Sequence, residues 1–318
     1  MKANLPKRCL VRAALLLPAL VHAAEPAAKK TDHAKPTMAD VHYGAATNQV
    51  LDFYKADSAT PTPLVFFIHG GGWIRGDIHV SKHEEYLAAG ISVVSIQYRF
   101  VPEAQAANVK PPVEWPMHDA ARALQFVRSK AAEWNIDKNR IGASGGSAGA
   151  CTSLWLAFHD DLADPKSDDP VARESTRLLC AAVTGAQTSL DPKQMKEWIP
   201  NISYGGHAFG FTGESAKHIS QFQQFLEGRE TILPWIKEYS PYELVSKDDP
   251  PVYLTYATPP AIGQTQSNAT HSANFGVKLQ DRLREVGVPC ELEYPGAPDV
   301  KHKTMEDYLI AMLKKPAK

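Results

Sequence analysis

The sequence predicts an α/β fold, a mostly parallel β-sheet with helices on both faces. Two observations carry that expectation. Runs such as LVFFI at 64–68 and ISVVSI at 91–96 are apolar throughout instead of alternating, as in strands that are covered on both sides. Between such runs lie segments with apolar residues at helical spacing, so strand and helix patterns take turns along the chain. A length of 318 residues is enough for one large domain with a substantial core.

The expected strands are Gln49–Lys55, Leu64–His69, Ile91–Tyr98, Arg140–Ser144, Leu179–Thr184, Val252–Tyr256 and Cys290–Tyr294. Helical spacing marks Pro116–Trp134, where Ala120, Leu124, Val127 and Ala131 share one face, and also Ala148–His159, Ser272–Val286 and Thr304–Lys314. Residues 188–250 break this rhythm as an insertion between two strands, with helical patterns at Ala216–Leu226 and Thr231–Tyr239. The insertion holds nine of the 28 aromatic residues, so it reads as a cap whose aromatics mostly build a small core of its own.

Residues 1–23 read as a targeting segment. A basic start (Lys2, Lys7, Arg8, Arg12) precedes an apolar run, Ala13–Val21, and a small-residue end with expected cleavage after Ala23. The apolar run is far short of the ~20 residues that span a bilayer. Residues 24–40 are polar and rich in Pro, Ala and Lys, as expected of a flexible linker, and 41–318 then form the folded domain. The formal charge of the whole chain is −1, and 34 − 4 − 35 = −5 without the first segment. Neither value favours nucleic acid or an anionic membrane surface as partner. Cys151, Cys180 and Cys290 fall in expected core elements and read as buried small hydrophobes. No C-x-x-C or H-E-x-x-H pattern occurs, so nothing points to a metal.

Two motifs carry chemistry. Gly145-Gly146-Ser147-Ala148-Gly149 lies between an expected strand and an expected helix. A serine becomes an effective nucleophile when a tight strand-to-helix turn exposes it beside a base, and side chains crowd such a turn. The Ala148 N–H then opens the helix and can donate to an oxyanion. His69-Gly70-Gly71-Gly72-Trp73 follows the strand at 64–69, and its consecutive glycines can turn further N–H groups toward the same point. Each such donor is typically worth ~3 kcal/mol of transition-state stabilisation.

With these motifs, and with Asp119-x-x-Arg122-Ala123 and Arg140-Ile141 between them, the chain resembles the α/β-hydrolase superfamily from about Val50 to Leu313. Within it the chain looks like the hormone-sensitive-lipase-like and feruloyl/acetyl-esterase-like carboxylesterases. The resemblance implies about eight strands, a Ser–acid–His triad in that chain order, and no cofactor. Ser147 takes the nucleophile's place, and Gly71, Gly72 and Ala148 that of the oxyanion hole. The family's histidine follows the last strand in a P-G-A-x-H stretch. Here Pro295-Gly296-Ala297 leads to His302, the expected base. The acid normally follows the penultimate strand, but 257–280 contains no Asp or Glu. Asn268, Asp299 and Asp191 all stay open as the third member.

The implied function is an exported, periplasmic or secreted serine carboxylic-ester hydrolase. Its substrates would be small acyl esters, including acetyl and aromatic acyl groups on carbohydrates. Two other readings compete. One is a catalytically silent ligand-binding homologue, favoured by the missing acid. The other is a serine peptidase, disfavoured by the three-glycine loop and by the lack of room for a propeller domain.

Overall fold

A computed structural model of the chain describes Met1 and residues 35–78, 83–213, 219–298 and 300–315. Residues 2–34, which hold the rest of the targeting segment and the first part of the linker, and Asp299 lie outside the described residues.

Eight strands form one sheet: β1 (Met38–His42), β2 (Val50–Tyr54), β3 (Thr62–Ile68), β4 (Ser92–Ile96), β5 (Ile136–Gly146), β6 (Cys180–Thr184), β7 (Val252–Thr255) and β8 (Cys290–Glu293). Their order is β1-β2-β4-β3-β5-β6-β7-β8. The first two pairings are antiparallel and the other five are parallel. This is the doubly covered sheet expected from the apolar runs. Every residue of β4 is buried, and β3 is buried except at Phe67. Each fully buried Val, Ile or Phe contributes ~1.5–3 kcal/mol by leaving water.

Two strand starts differ most from the sequence reading. Residues 38–40, assigned to the linker, instead begin β1. Their alternating, mostly exposed pattern (ieeie across the strand) hides an edge strand from a search for apolar runs. Strand β5 starts four residues earlier than expected, since its first residues, IDKN, are largely polar and only Ile136 among them is buried.

The helix Ala148–Phe158 packs on β5, β6 and β3 with Glu114–Ser129 against it, Met305–Leu313 packs on β6, β5 and β7, and Asn274–Val286 on β8. Between β6 and β7 the insertion folds into short helices, among them Pro192–Trp198, Gln221–Gly228 and Leu233–Tyr239, with a 3₁₀ turn at Gly206–Phe209. Its aromatics do build a local core. Trp198, Phe209, Phe222, Phe225 and Tyr239 are buried, and Phe209 stacks on Phe225 at 5.5 Å. The insertion is tied to the elbow helix where Trp155 Nε1–H donates to the Glu238 carbonyl at 2.9 Å. Cys151 and Cys180 are buried, Cys290 is half-buried, and all three are free thiols. Among the described residues, no helix is long and apolar enough to cross a membrane.

Candidate active site

Strand β5 ends at Gly146, and the helix Ala148–Phe158 begins two residues later. Ser147 between them has φ 54° and ψ −119°, a conformation that costs a non-glycine residue of order 1–3 kcal/mol. The turn is held by the Ser147 N–H donating to the Thr184 carbonyl at 3.0 Å and by the Cys151 N–H donating to the Ser147 carbonyl at 2.9 Å. Gly149 must be glycine because a Cβ there would run into the Ile68 and His69 carbonyls at the end of β3.

The loop His69–Trp73 follows β3 beside this elbow. Gly71 has φ +101°, and a Cβ on it would strike the Arg75 carbonyl. His69 is pinned through both ring nitrogens, Nδ1 to the Gly70 carbonyl at 2.7 Å and Nε2 to Gln97 Oε1 at 2.6 Å, with Tyr98 stacked on the ring at 4.3 Å. Trp73 is fully buried, and its indole N–H donates to Thr152 Oγ1 on the elbow helix at 3.0 Å. The insertion grips the same loop, since His207 Nε2–H donates to the Gly72 carbonyl at 2.8 Å. Burial pushes the pKa of His207 down, which keeps the imidazole neutral with its one proton on that bond.

The base is where the structure departs from the sequence expectation. His271, not His302, meets the serine, with Nε2 2.9 Å from Ser147 Oγ. His271 closes a 3₁₀ turn, Ala269–His271, in which its own N–H donates to the Asn268 carbonyl at 3.2 Å. The turn brings Asn268 Oδ1 to 3.2 Å from His271 Nδ1. With the Nδ1 proton donated to that amide oxygen, Nε2 is free to accept the serine proton. Desolvation by burial lowers the His271 pKa.

The loop after β6 positions this histidine. Gly185 lies under the imidazole, where a Cβ would come within 3.2 Å of the ring. Gln187 is fully buried, and its Nε2 donates both to the Gly185 carbonyl at 3.1 Å and to the Thr270 carbonyl, next to His271, at 2.6 Å.

His302 lies elsewhere. Its Nδ1 and backbone N–H both contact the Glu291 carboxylate, at 2.8 and 3.1 Å. The two residues line a different cavity with Pro251 and Pro289, which precede β7 and β8. That is the amino-terminal end of these strands, whereas Ser147 follows the carboxyl end of β5. Asp191 is also committed elsewhere. It caps the helix Pro192–Trp198 through the Lys193 N–H at 2.8 Å and forms a paired bond with Arg229 at 2.6 and 2.7 Å. Of the two candidate third members among the described residues, Asn268 and Asp191, only Asn268 contacts the histidine at Ser147. The spacing Asn268-x-x-His271 after β7 was the available sequence clue, because a three-residue step is one 3₁₀ turn.

The cavity at Ser147 has a volume of about 550 Å³, within the ~300–1,000 Å³ of small-molecule sites. Phe67, Ala257 and Met305 give it apolar wall, and Gly70, Asn268 and His271 its polar groups. No Asp or Glu lines it among the described residues.

A strained elbow serine, a histidine within hydrogen-bond reach and a glycine loop beside them, on a mostly parallel eight-stranded sheet, define an α/β-hydrolase-type site. The BD-FAE family model matches residues 51–273, and the chain belongs to this family of α/β-hydrolase esterases. Gut esterase 1 of Caenorhabditis elegans is 30% identical over 153 residues, which cover 46% of this chain and 27% of that protein. Esterase LipC of Mycobacterium tuberculosis is 25% identical over 272 residues, covering 81% of this chain and 58% of its own. The chain thus spans about a quarter of the first relative's length and somewhat over half of the second's. Among solved structures, an acetyl ester-xyloside bifunctional hydrolase from Caldicellulosiruptor lactoaceticus matches with TM-score 0.56 and 25% identity, over 77% of this chain and 76% of that one. A truncated carbohydrate esterase from gut microbiota shares the fold with TM-score 0.63 and 20% identity, over 87% of this chain and 96% of its own.

Proposed function

We propose that the chain is a serine carboxylic-ester hydrolase that removes small acyl groups, acetyl foremost, from carbohydrates. The observation that carries this reading is the 2.9 Å contact between His271 Nε2 and Ser147 Oγ on a strained elbow. In the proposed reaction, Ser147 Oγ attacks the ester carbonyl as His271 takes its proton. The N–H groups of Gly71, Gly72 and Ala148 stabilise the tetrahedral oxyanion. His271 then protonates the leaving alcohol, and water releases the acyl group from Ser147 by the same steps. Asn268 holds the tautomer through its amide oxygen and, being uncharged, leaves the transient imidazolium without a counter-ion. The carbohydrate part of the reading is supported by the acetyl ester-xyloside hydrolase among the similar structures.

The test is hydrolysis of p-nitrophenyl acetate and of acetylated xylo-oligosaccharides, with fluorophosphonate labelling of the protein. Turnover and labelling are expected in the wild type and lost in Ser147→Ala. The uncharged Asn268 favours a second reading, a silent ligand-binding homologue, and absence of labelling on Ser147 would establish it in place of the enzyme. We further propose export by cleavage after Ala23, supported by the basic, apolar and small-residue order of residues 1–23. Amino-terminal sequencing of the mature protein from an exported fraction tests it, with an intact Met1 as the opposing result.

A further inference from the structure

The cavity at Ser147 leaves a second one unassigned. A cavity of about 320 Å³ lies where the core meets the helical insertion. Gln105, Asn108 and Lys110 line it from the core side, and Phe209, Gly210 and Trp235 from the insertion. We propose that it is a saccharide subsite, holding a sugar unit of the carbohydrate whose ester is cleaved at Ser147. The inference rests on the esterase reading above and names where the non-acyl part of that substrate binds.

The lining has the chemistry that a sugar ring requires. A pyranose presents an apolar C–H face and a rim of hydroxyls that both donate and accept. Trp235, partly exposed, offers an aromatic face, and the carboxamides of Gln105 and Asn108 offer both donors and acceptors. Gln105 Nε2 is buried and has no hydrogen-bond partner in the protein. Such an unmet donor costs ~1–3 kcal/mol, a cost that a turn of the Gln105 carboxamide toward a sugar hydroxyl in the cavity would remove.

The floor is preformed. Phe209 is buried and stacked on Phe225, and the Val113 N–H donates to the Ala208 carbonyl at 3.0 Å, tying the insertion to the core beside the cavity. Gly210, at φ +89°, leaves that wall without a side chain. The position suits a substrate shared with Ser147. Phe209 belongs to the same 3₁₀ turn as His207, whose ring holds the Gly72 carbonyl. At ~2 Å rise per residue, Gly210 is roughly 6 Å along the chain from His207. One 3₁₀ turn of the insertion thus touches both the cavity, through Phe209, and the glycine loop, through His207.

The experiment compares Michaelis parameters for acetylated xylo-oligosaccharides and for p-nitrophenyl acetate in the wild type, Trp235→Ala and Asn108→Gly. Asn108 sits at φ 59°, a conformation glycine adopts without strain, so the second variant decides the matter if the first does not fold. The expected result is a KM for the sugar ester raised about tenfold by Trp235→Ala and severalfold by Asn108→Gly. The ratio of sugar-ester to aryl-ester kcat/KM should fall by the same factors. Losses of equal size on both substrates overturn the proposal. Saturation-transfer NMR of xylotriose and cellotriose with Ser147→Ala gives a readout independent of catalysis. Transfer that is lost on adding Trp235→Ala supports the subsite, and absence of transfer to either sugar overturns it. If the wild type cleaves neither ester, the esterase reading fails, and the NMR comparison still decides the subsite.

Discussion

His271 and His302 occupy loops after successive strands, and their surroundings are opposites. His302 has the stronger partner, the Glu291 carboxylate at 2.8 Å, and lines a different cavity from Ser147. His271 has only the Asn268 amide at 3.2 Å, yet its other nitrogen meets Ser147 at 2.9 Å. A charged partner thus does not mark the histidine that meets Ser147. Place in the sheet does, because sites in parallel α/β sheets gather at the carboxyl ends of the strands. The His302–Glu291 pair instead ties the last loop to β8, a role in which a partly exposed pair contributes little stability.

The largest effect should separate the two histidines. His271→Ala is expected to lower kcat by ~10⁴–10⁶-fold, as removing the base does in serine hydrolases. His302→Ala is expected to keep kcat near the wild-type value and to cost at most about 1 kcal/mol of stability, read by denaturant titration. The reverse pattern would return the base to the last loop.

The next effect has the opposite sign. Asn268→Asp is expected to raise kcat, with the ~10⁴-fold cost of an Asp-to-Asn change in other triads as its ceiling. It should also move the pH profile. Burial lowers the His271 pKa, so the neutral base persists below the usual ~6.5 and the acid limb of kcat/KM lies there too. A carboxylate at 268 would favour the imidazolium and shift that limb upward. An unmoved limb would show that residue 268 is not coupled to the base.

Among the residues around Ser147, Gln187 should give the smallest effect. The isosteric Gln187→Glu cannot donate to the Gly185 and Thr270 carbonyls when ionised. It is expected to lower kcat about tenfold with KM little changed, because the loss falls on the orientation of His271. A lower melting temperature with unchanged kcat would make the clamp structural only.

What was legible in the sequence follows the range of the interaction. Seven of the eight strands are expected from the sequence, and central ones such as β3 and β4 show as apolar runs because burial on both faces removes polar residues from them. Strand β1 was missed because an antiparallel edge strand has too little buried surface to leave that mark. Ser147 and its flanking glycines were legible because the elbow is set by a few consecutive residues. Which histidine meets Ser147 was harder to read, because two loops each carry one and only the Asn268-x-x-His271 spacing sets them apart locally.

The sequence by itself determined the sheet, the elbow and the glycine loop, all consequences of burial and of short-range backbone sterics. Only the tertiary structure decided that His271 faces Ser147, that Asn268 stands where a carboxylate was sought, and that Asp191 and His302 are taken up by Arg229 and Glu291. Those pairings join residues up to 124 positions apart. They depend on how whole loops pack against the sheet ends, and no local pattern encodes that.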